Sequence, residues 1–202
     1  MTAPFIQQML EERGLKVSDC DAVCLSMGPG SYTGLRVGSS TAKGLCFGAG
    51  IPLLAVGTLD VLVAQALEKG LPEGCRYIFP MIDARRMEVY TAPYDASGKR
   101  LGEVAPTVVS ESSFSRELSE GRVLFIGDGA AKCEPVICGA DGGGDAAVGG
   151  NAVFRQEYPE AASMLKPALE AFSAGAFRDT AYFEPFYLKD FIATVAKNPL
   201  LR

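Results

Sequence analysis

Residues 28–38 read GPGSYTGLRVG and follow directly on the apolar segment DAVCLSM at 21–27. A short strand, a glycine-rich turn and the start of a helix occur in this order where α/β folds bind phosphate groups. The pattern predicts a buried strand over 21–27 and a helix from about residue 32 to 47, closed by Gly48 and Gly50.

The glycine spacing does not match the two common nucleotide-binding motifs. A dinucleotide fingerprint needs GxGxxG and an acidic residue about 20 positions on. Here Gly34 comes one place late, and no Asp or Glu lies between Asp21 and Asp60. A Walker loop needs GK[ST], whereas this chain has Lys43 before Gly44. The turn therefore has the shape of a phosphate loop without a complete motif.

The helix after the turn carries small residues every four positions, at Gly34, Gly38, Ala42 and Cys46. A glycine inside a helix costs about 1 kcal/mol relative to alanine, and close approach of another helix or strand can offset that cost. Packing inside the domain and packing against a second chain both explain the row. We take the second as the functional hypothesis.

The chain begins with a predicted helix that Thr2 caps and Gly14 ends. Its apolar residues form one stripe, consisting of Phe5, Ile6, Met9 and Leu10. A second strand over 51–56 and a helix from Thr58 to Gly70 complete a β-α-β-α order. This order predicts a parallel sheet covered by helices.

The second half of the sequence favours antiparallel strands. We expect strands at about 76–82 and 87–94, a further extended piece at 104–110 and a strand within RVLFIGDG at 122–129. Ser110 is the expected cap of a helix that runs to about Leu118. The remaining expectations are a mobile glycine-rich loop at 139–151, two helical pieces within 159–175, and an aromatic C-terminal segment that packs on the body and then frays.

Composition excludes several classes of function. The chain of 202 residues contains no histidine, so it has neither a Ser-His-Asp triad nor a histidine metal motif. Its six cysteines form no CxxC pair, which favours reduced thiols in the core. A net charge of −5 argues against autonomous RNA binding. No membrane-spanning run or signal peptide is visible, and we expect a cytoplasmic protein.

Four stretches together resemble the bacterial TsaB family, also called YeaZ. They are GPGSYTGLRVGSSTAKGLCFGAGIPLLAVGTLD at 28–60, MIDARRMEVYTAPYD at 81–95, FIGDG at 125–129 and YFEPFYLKDF at 182–191. The resemblance implies an α/β, actin-like and sugar-kinase-like ATPase fold with two lobes, here at 1–75 and 76–202. It also implies that the first strands of the family precede this chain's first helix, through a misassigned start codon or a truncation. The strand at 21–27 is then expected at an open sheet edge.

The resemblance further implies a non-catalytic subunit without a cofactor or metal of its own. Such a subunit pairs with the catalytic TsaD and the ATPase TsaE, and the complex places threonylcarbamoyl on adenosine 37 of tRNAs that read codons beginning with A. TsaD carries out the transfer from threonylcarbamoyl-adenylate, so contact with tRNA is indirect. The family's helical bundle with TsaD, or with a second TsaB as a homodimer, maps onto 3–13 and 32–47. The expected interface residues are Phe5, Ile6, Met9, Leu10, Gly34, Arg36, Gly38, Ala42 and Lys43.

An enzyme is the alternative reading. A nucleotide-dependent transferase would place Ser31 and Thr33 on phosphate and use Asp83 or Asp128 for magnesium. An M22-type peptidase-like enzyme would lack metal ligands. Asp83, with the neighbouring pair at 85–86, is alternatively a contact for a third subunit.

Overall fold

Three β-sheets form the framework of the computed structural model, within the residues that the structure describes, 2–139 and 150–188. Their strands are short and are numbered in the order in which they occur along the chain. The strands are β1 (Val23–Ser26), β2 (Leu53–Val56), β3 (Cys75–Pro80), β4 (Ile82–Asp83), β5 (Glu88–Thr91), β6 (Tyr94–Asp95), β7 (Ala105–Val108), β8 (Arg122–Ile126) and β9 (Ala152–Arg155).

The helices of the described part lie mainly between strands. They are α1 (Thr2–Glu11), α2 (Tyr32–Ala49), α3 (Thr58–Glu68), α4 (Ser115–Glu120), α5 (Ala130–Ile137) and α6 (Leu165–Ser173). Helix α2 begins at the N-cap Ser31, whose hydroxyl accepts a hydrogen bond from the Gly34 N–H at 3.4 Å. It ends at Gly50, which has φ +68° and so suits the left-handed C-terminal position. None of these helices is long and apolar enough to cross a bilayer.

Strands β1 and β2 pair in parallel through the α2 crossover, as the sequence predicts. Their register runs from Val23 opposite Leu53 to Ser26 opposite Val56. In the described part of the chain β2 is the one neighbour of β1, so β1 lies at the expected sheet edge. The residues of β2 are all buried, whereas those of β1 are all half-buried.

The predicted strand over 76–82 is divided between two sheets. Strand β3 joins the order β6-β3-β8-β9, and β4 joins β5 and β7 in an antiparallel sheet. The division falls at Met81, whose N–H donates to the Ile126 carbonyl at 2.7 Å. The Met81 carbonyl accepts from the Gly129 N–H at 3.0 Å. The chain is therefore held by the turn after β8 before it enters the next sheet.

Helix α3 packs on the sheet that contains β3. Leu59 and Leu62 of α3 belong to one buried cluster with Ile78, Tyr94 and Leu124. The hydroxyl of Tyr94 donates to Asp60 Oδ1 at 2.7 Å, and burial is the first cause that raises the pKa of Tyr94. A helix from the expected first lobe thus shares its core with the expected second lobe, and the division at residue 75 stays a prediction.

One local prediction differs from the structure. Ser110 does not begin a helix, because its N–H donates to the Ser113 hydroxyl at 3.0 Å in a serine-rich turn, and α4 starts at Ser115. The two helical pieces expected within 159–175 are confirmed, as a 3-10 turn at Ala162–Met164 followed by α6. The glycine-rich loop falls largely on 140–149, outside the described residues, and the expected fraying falls on 189–202, which also lie outside them.

Candidate partner-binding surface

Helices α1 and α2 pack against each other and expose large apolar side chains. On α1, Phe5 is 67% exposed and Met9 is 57% exposed, while Ile6 and Leu10 are half-buried. On α2, Phe47 is 85% exposed. Side chains of this size and exposure on adjoining helices indicate a protein-binding surface.

The small-residue row expected to receive a foreign helix faces the chain's own sheet from Gly38 onward, while Gly34 at its start is exposed. Ala42 is 5% exposed and Cys46 is 1% exposed, and both belong to a core cluster with Leu53. A Cβ atom added at Gly38 would lie 3.3 Å from Cδ1 of Leu25. Gly38 and Ala42 therefore pack beside the chain's own strands, and their expected contact with a partner stays a prediction.

A different row of α2 is open. A Cβ atom added at Gly44 or at Gly48 would meet no atom within 4 Å. Ser40 and Val37, which is 45% exposed, continue the same face one and two turns before Gly44, respectively. We call the exposed set Phe5, Met9, Val37, Ser40, Gly44 and Phe47 the α1/α2 outer face.

Arg36 and Lys43, both expected at the interface, are engaged within the chain. The guanidinium carbon of Arg36 lies 5.4 Å from the ring centroid of Tyr32, a cation–π distance. The ammonium of Lys43 donates to the carbonyls of Ala181 at 3.2 Å and Phe183 at 3.1 Å. Lys43 therefore fixes the C-terminal segment to α2.

The glycine turn is covered by the same C-terminal segment. The Phe186 N–H donates to the Met27 carbonyl at 2.8 Å. The Phe186 carbonyl oxygen would lie 2.8 Å from a Cβ atom at Gly28, which has φ +113°. Glycine is required at this position by both the backbone angle and the close approach. The turn thus keeps a phosphate-loop shape while its first glycine packs against the chain's own backbone.

The residues of the alternative transferase site are also engaged elsewhere. Asp83 forms an ion pair with Lys132, and Asp128 Oδ1 accepts the Asp83 N–H at 2.8 Å. Burial raises the pKa of Asp83, but the hydrogen bonds from Lys132 and from the Arg85 N–H outweigh it and lower the pKa overall. The Ser31 hydroxyl caps α2. The described residues hold no group of three or more acidic or cysteine side chains arranged for a metal.

The chain is similar over most of its length to proteins of tRNA threonylcarbamoyladenosine biosynthesis. The family model described as TsaD, tRNA N6-adenosine threonylcarbamoyltransferase, matches residues 2–197. The tRNA threonylcarbamoyladenosine biosynthesis protein TsaB of Escherichia coli is 30% identical over 197 residues, which cover 94% of this chain and 80% of that protein. The chain belongs to the TsaB family.

Further similarities support this membership. TsaB of Haemophilus influenzae is 39% identical over 87 residues, covering 43% of this chain and 36% of that protein. A crystal structure from Pseudomonas aeruginosa, described as an uncharacterized protein with similarity to peptidase YEAZ, matches with a TM-score of 0.73 at 25% identity. That match covers 93% of this chain and 82% of the other. The actin-like, sugar-kinase-like ATPase fold expected for a TsaB-family chain is confirmed.

The TsaB-family chain also has a cleft that the sequence analysis missed. Its volume is about 720 Å³, and it lies between α3 and α6. Its lining mixes apolar residues with acidic Asp60, Glu68 and Glu170 and basic Lys99 and Lys166. The charged side chains therefore carry a formal excess of one negative charge.

The six cysteines of this TsaB-family chain are free, as the sequence predicts. Cys46 and Cys133 are buried, and the other four are half-buried. Burial raises the pKa of the Cys24 thiol to about 11. These properties are those of structural thiols rather than reactive ones.

Proposed function

We propose that this TsaB-family chain is a non-catalytic subunit that binds a TsaD-like transferase through the α1/α2 outer face. The TsaD-like protein carries out threonylcarbamoyl transfer to adenosine 37 of tRNA, and a TsaE-like ATPase joins the assembly. The exposure of Phe47, at 85%, is the observation that carries the proposal.

The energetics favour a helix-packing interface. Burying one fully exposed Phe, Met or Val side chain contributes about 1.5–3 kcal/mol before the cost of association. Phe5, Met9, Val37 and Phe47 together therefore supply enough apolar area to form the centre of a specific interface. Gly44 lies on the same face and allows a partner helix to come close to the backbone.

Without the transferase, the same face is proposed to pair with a second copy of the chain. A two-fold interface uses one patch on both subunits, and an apolar helix pair meets that requirement. The homodimer and the heterodimer then compete for one surface. We place both in the cytoplasm.

Titration calorimetry of the chain with a TsaD-like protein tests the proposal. Phe47→Ser is expected to weaken the Kd at least tenfold, because it removes the most exposed aromatic side chain of the face. Val108→Ser is the matched control, since Val108 is 70% exposed on β7, outside the α1/α2 outer face. An unchanged Kd for Phe47→Ser, or an equal loss for Val108→Ser, contradicts the proposal.

A further inference from the structure

The tip of the β4–β5 hairpin presents two adjacent arginines in an uncommon backbone conformation. Arg85 has φ +70° and Arg86 has φ +49°. Both residues are exposed. The left-handed region is disfavoured for residues with a Cβ atom, and glycine or asparagine is the usual occupant of such positions. Two consecutive arginines at these angles point to a use for their side chains.

The tip is held rigidly from below. The ammonium of Lys132 donates to the Arg86 carbonyl at 2.8 Å and to the Glu88 carbonyl at 2.7 Å, and it also pairs with Asp83. Asp83 in turn accepts the Arg85 N–H at 2.8 Å. Lys132 of α5 and Asp83 of β4 therefore pair with each other beneath the tip.

Neither guanidinium group forms an ion pair in the described part of the chain, although the charge of Arg85 contributes to the lowered pKa of Asp83. The ion pairs found there involve Lys69, Arg116 and Lys132, and neither Arg85 nor Arg86 takes part in one. The result is a fixed double positive charge on a chain whose net charge is −5. Because hydrogen bonds already hold the hairpin backbone, little loop order is lost when an anion binds, and the entropic cost is confined to the two exposed side chains.

Phosphate fits this tip better than protein carboxylates do. Exposed ion pairs between proteins contribute little, since both partners keep most of their hydration. An RNA backbone offers successive phosphates to neighbouring guanidinium groups, and each neutralised phosphate releases condensed counterions. We infer that Arg85 and Arg86 contact two backbone phosphates of the tRNA while the chain is bound to its transferase. This inference rests on the proposed function and replaces the expectation that all contact with tRNA is indirect.

The test compares the transferase complex of the wild-type chain with that of Arg85→Gln/Arg86→Gln. Gel filtration first establishes that each chain forms the complex, and circular dichroism establishes that the variant folds. Binding of a labelled tRNA transcript carrying adenosine 37 is then measured by fluorescence anisotropy between 50 and 200 mM NaCl. The matched control is Arg116→Gln/Lys166→Gln, which removes two exposed positive charges from other elements.

Loss of two phosphate contacts reduces the slope of log K against log salt by about 1.4–1.8. Over this fourfold range of salt, the wild-type complex is therefore expected to lose roughly 7- to 12-fold more affinity than the arginine variant. The control is expected to match the wild type. Equal slopes for the wild type and the arginine variant overturn the inference.

Two other outcomes separate this inference from the proposed function. If the arginine variant folds but no longer joins the complex, the tip contacts a protein, and only the inference fails. If the wild-type chain forms no complex with the transferase, the proposed function fails. The isolated wild-type chain and the arginine variant are then each titrated with the same tRNA at 20 mM NaCl. Binding by the wild type that the variant loses supports a phosphate contact at the tip, and identical titrations reject it.

Discussion

The two glycine rows of α2 predict opposite effects for the same substitution. Gly38 lies against Leu25 of β1, whereas Gly44 has open space around its Cα atom. Leucine at position 38 must displace Leu25, and overpacking of this kind costs typically 1–3 kcal/mol, of which the gain in helix propensity offsets about 0.8 kcal/mol. The Cβ atom of a leucine at position 44 meets no atom within 4 Å, so the same gain of about 0.8 kcal/mol is not opposed by a clash at Cβ.

Thermal unfolding of the isolated chain measures these changes. Gly44→Leu is expected to raise the Tm by about 2–3 °C, while Gly38→Leu lowers it by several degrees. Binding to the TsaD-like transferase is then measured by calorimetry for the stable Gly44→Leu variant. It is expected to weaken at least tenfold, because the new side chain keeps a partner helix away from the backbone.

Each half of this prediction has its own refutation. If Gly38→Leu is as stable as Gly44→Leu, Gly38 does not pack on β1 in solution. If Gly44→Leu binds the transferase normally, close helix approach does not occur at the α1/α2 outer face. Gly44→Ala serves as a control for helix propensity, because it gives most of the stability gain with a much smaller side chain.

Three further predictions concern the rest of the chain. Lys43→Met removes both hydrogen bonds to the carbonyls of Ala181 and Phe183, so limited proteolysis is expected to cut the 181–188 segment faster than in the wild type, and an unchanged cutting rate contradicts this. The hydrogen bond from Lys69 lowers the pKa of Glu157, so in acid the unfolded chain binds more protons than the folded chain. The stabilising contribution of Glu157 is therefore present above about pH 4.5 and is lost as the pH falls. Urea unfolding from pH 6 to 3 is expected to show a shallower decline in the free energy of unfolding for Glu157→Gln than for the wild type. Cys46 and Cys133 are 1% and 0% exposed, so a thiol reagent is expected to label them only after the half-buried cysteines. Mass spectrometry of the labelled peptides measures the order of labelling, and earlier labelling of Cys46 or Cys133 contradicts the prediction.

The sequence contained enough information for the first half of the fold, because its boundaries carry strong local signals. Ser31 caps α2 and Gly50 ends it at a left-handed angle, so the expected helix over 32–47 differs from Tyr32–Ala49 by a few residues at one end. The apolar segments on either side form the parallel pair β1 and β2. Each of these signals is contained within a short stretch of chain.

The division of the chain at Met81 has no such local signal. The apolar run continues through this position, and the break is imposed by a distant turn. A Cβ atom at Gly129 would lie 3.2 Å from the Met81 carbonyl oxygen, and the Gly129 N–H bonds to that oxygen. The end of β3 is determined by the contact of the turn after β8 with Met81. The hydrophobic periodicity of the sequence carries no information about such a long-range contact.

The sequence also did not determine which face of α2 packs on the sheet. The rows 34-38-42 and 40-44-48 are both small, and both follow the helical repeat. The inner row is selected by its fit to Leu25 and Leu53 in the sheet. Both helices named for the interface do expose large apolar side chains, but Ala42 packs inward, and the open row of α2 is the one that contains Gly44.

The glycine content of α2 connects its packing to an assembly. The helix holds four interior glycines in 18 residues, which destabilises it by about 3–4 kcal/mol relative to alanine. Gly38 is explained by its contact with Leu25, and Gly34 lies beside the Ser31 cap. Gly44 and Gly48 have no neighbour in the described part of the chain that requires a bare backbone. Their destabilising effect is offset only if another backbone comes close to this face, and the exposed Phe47 side chain lies beside both of them.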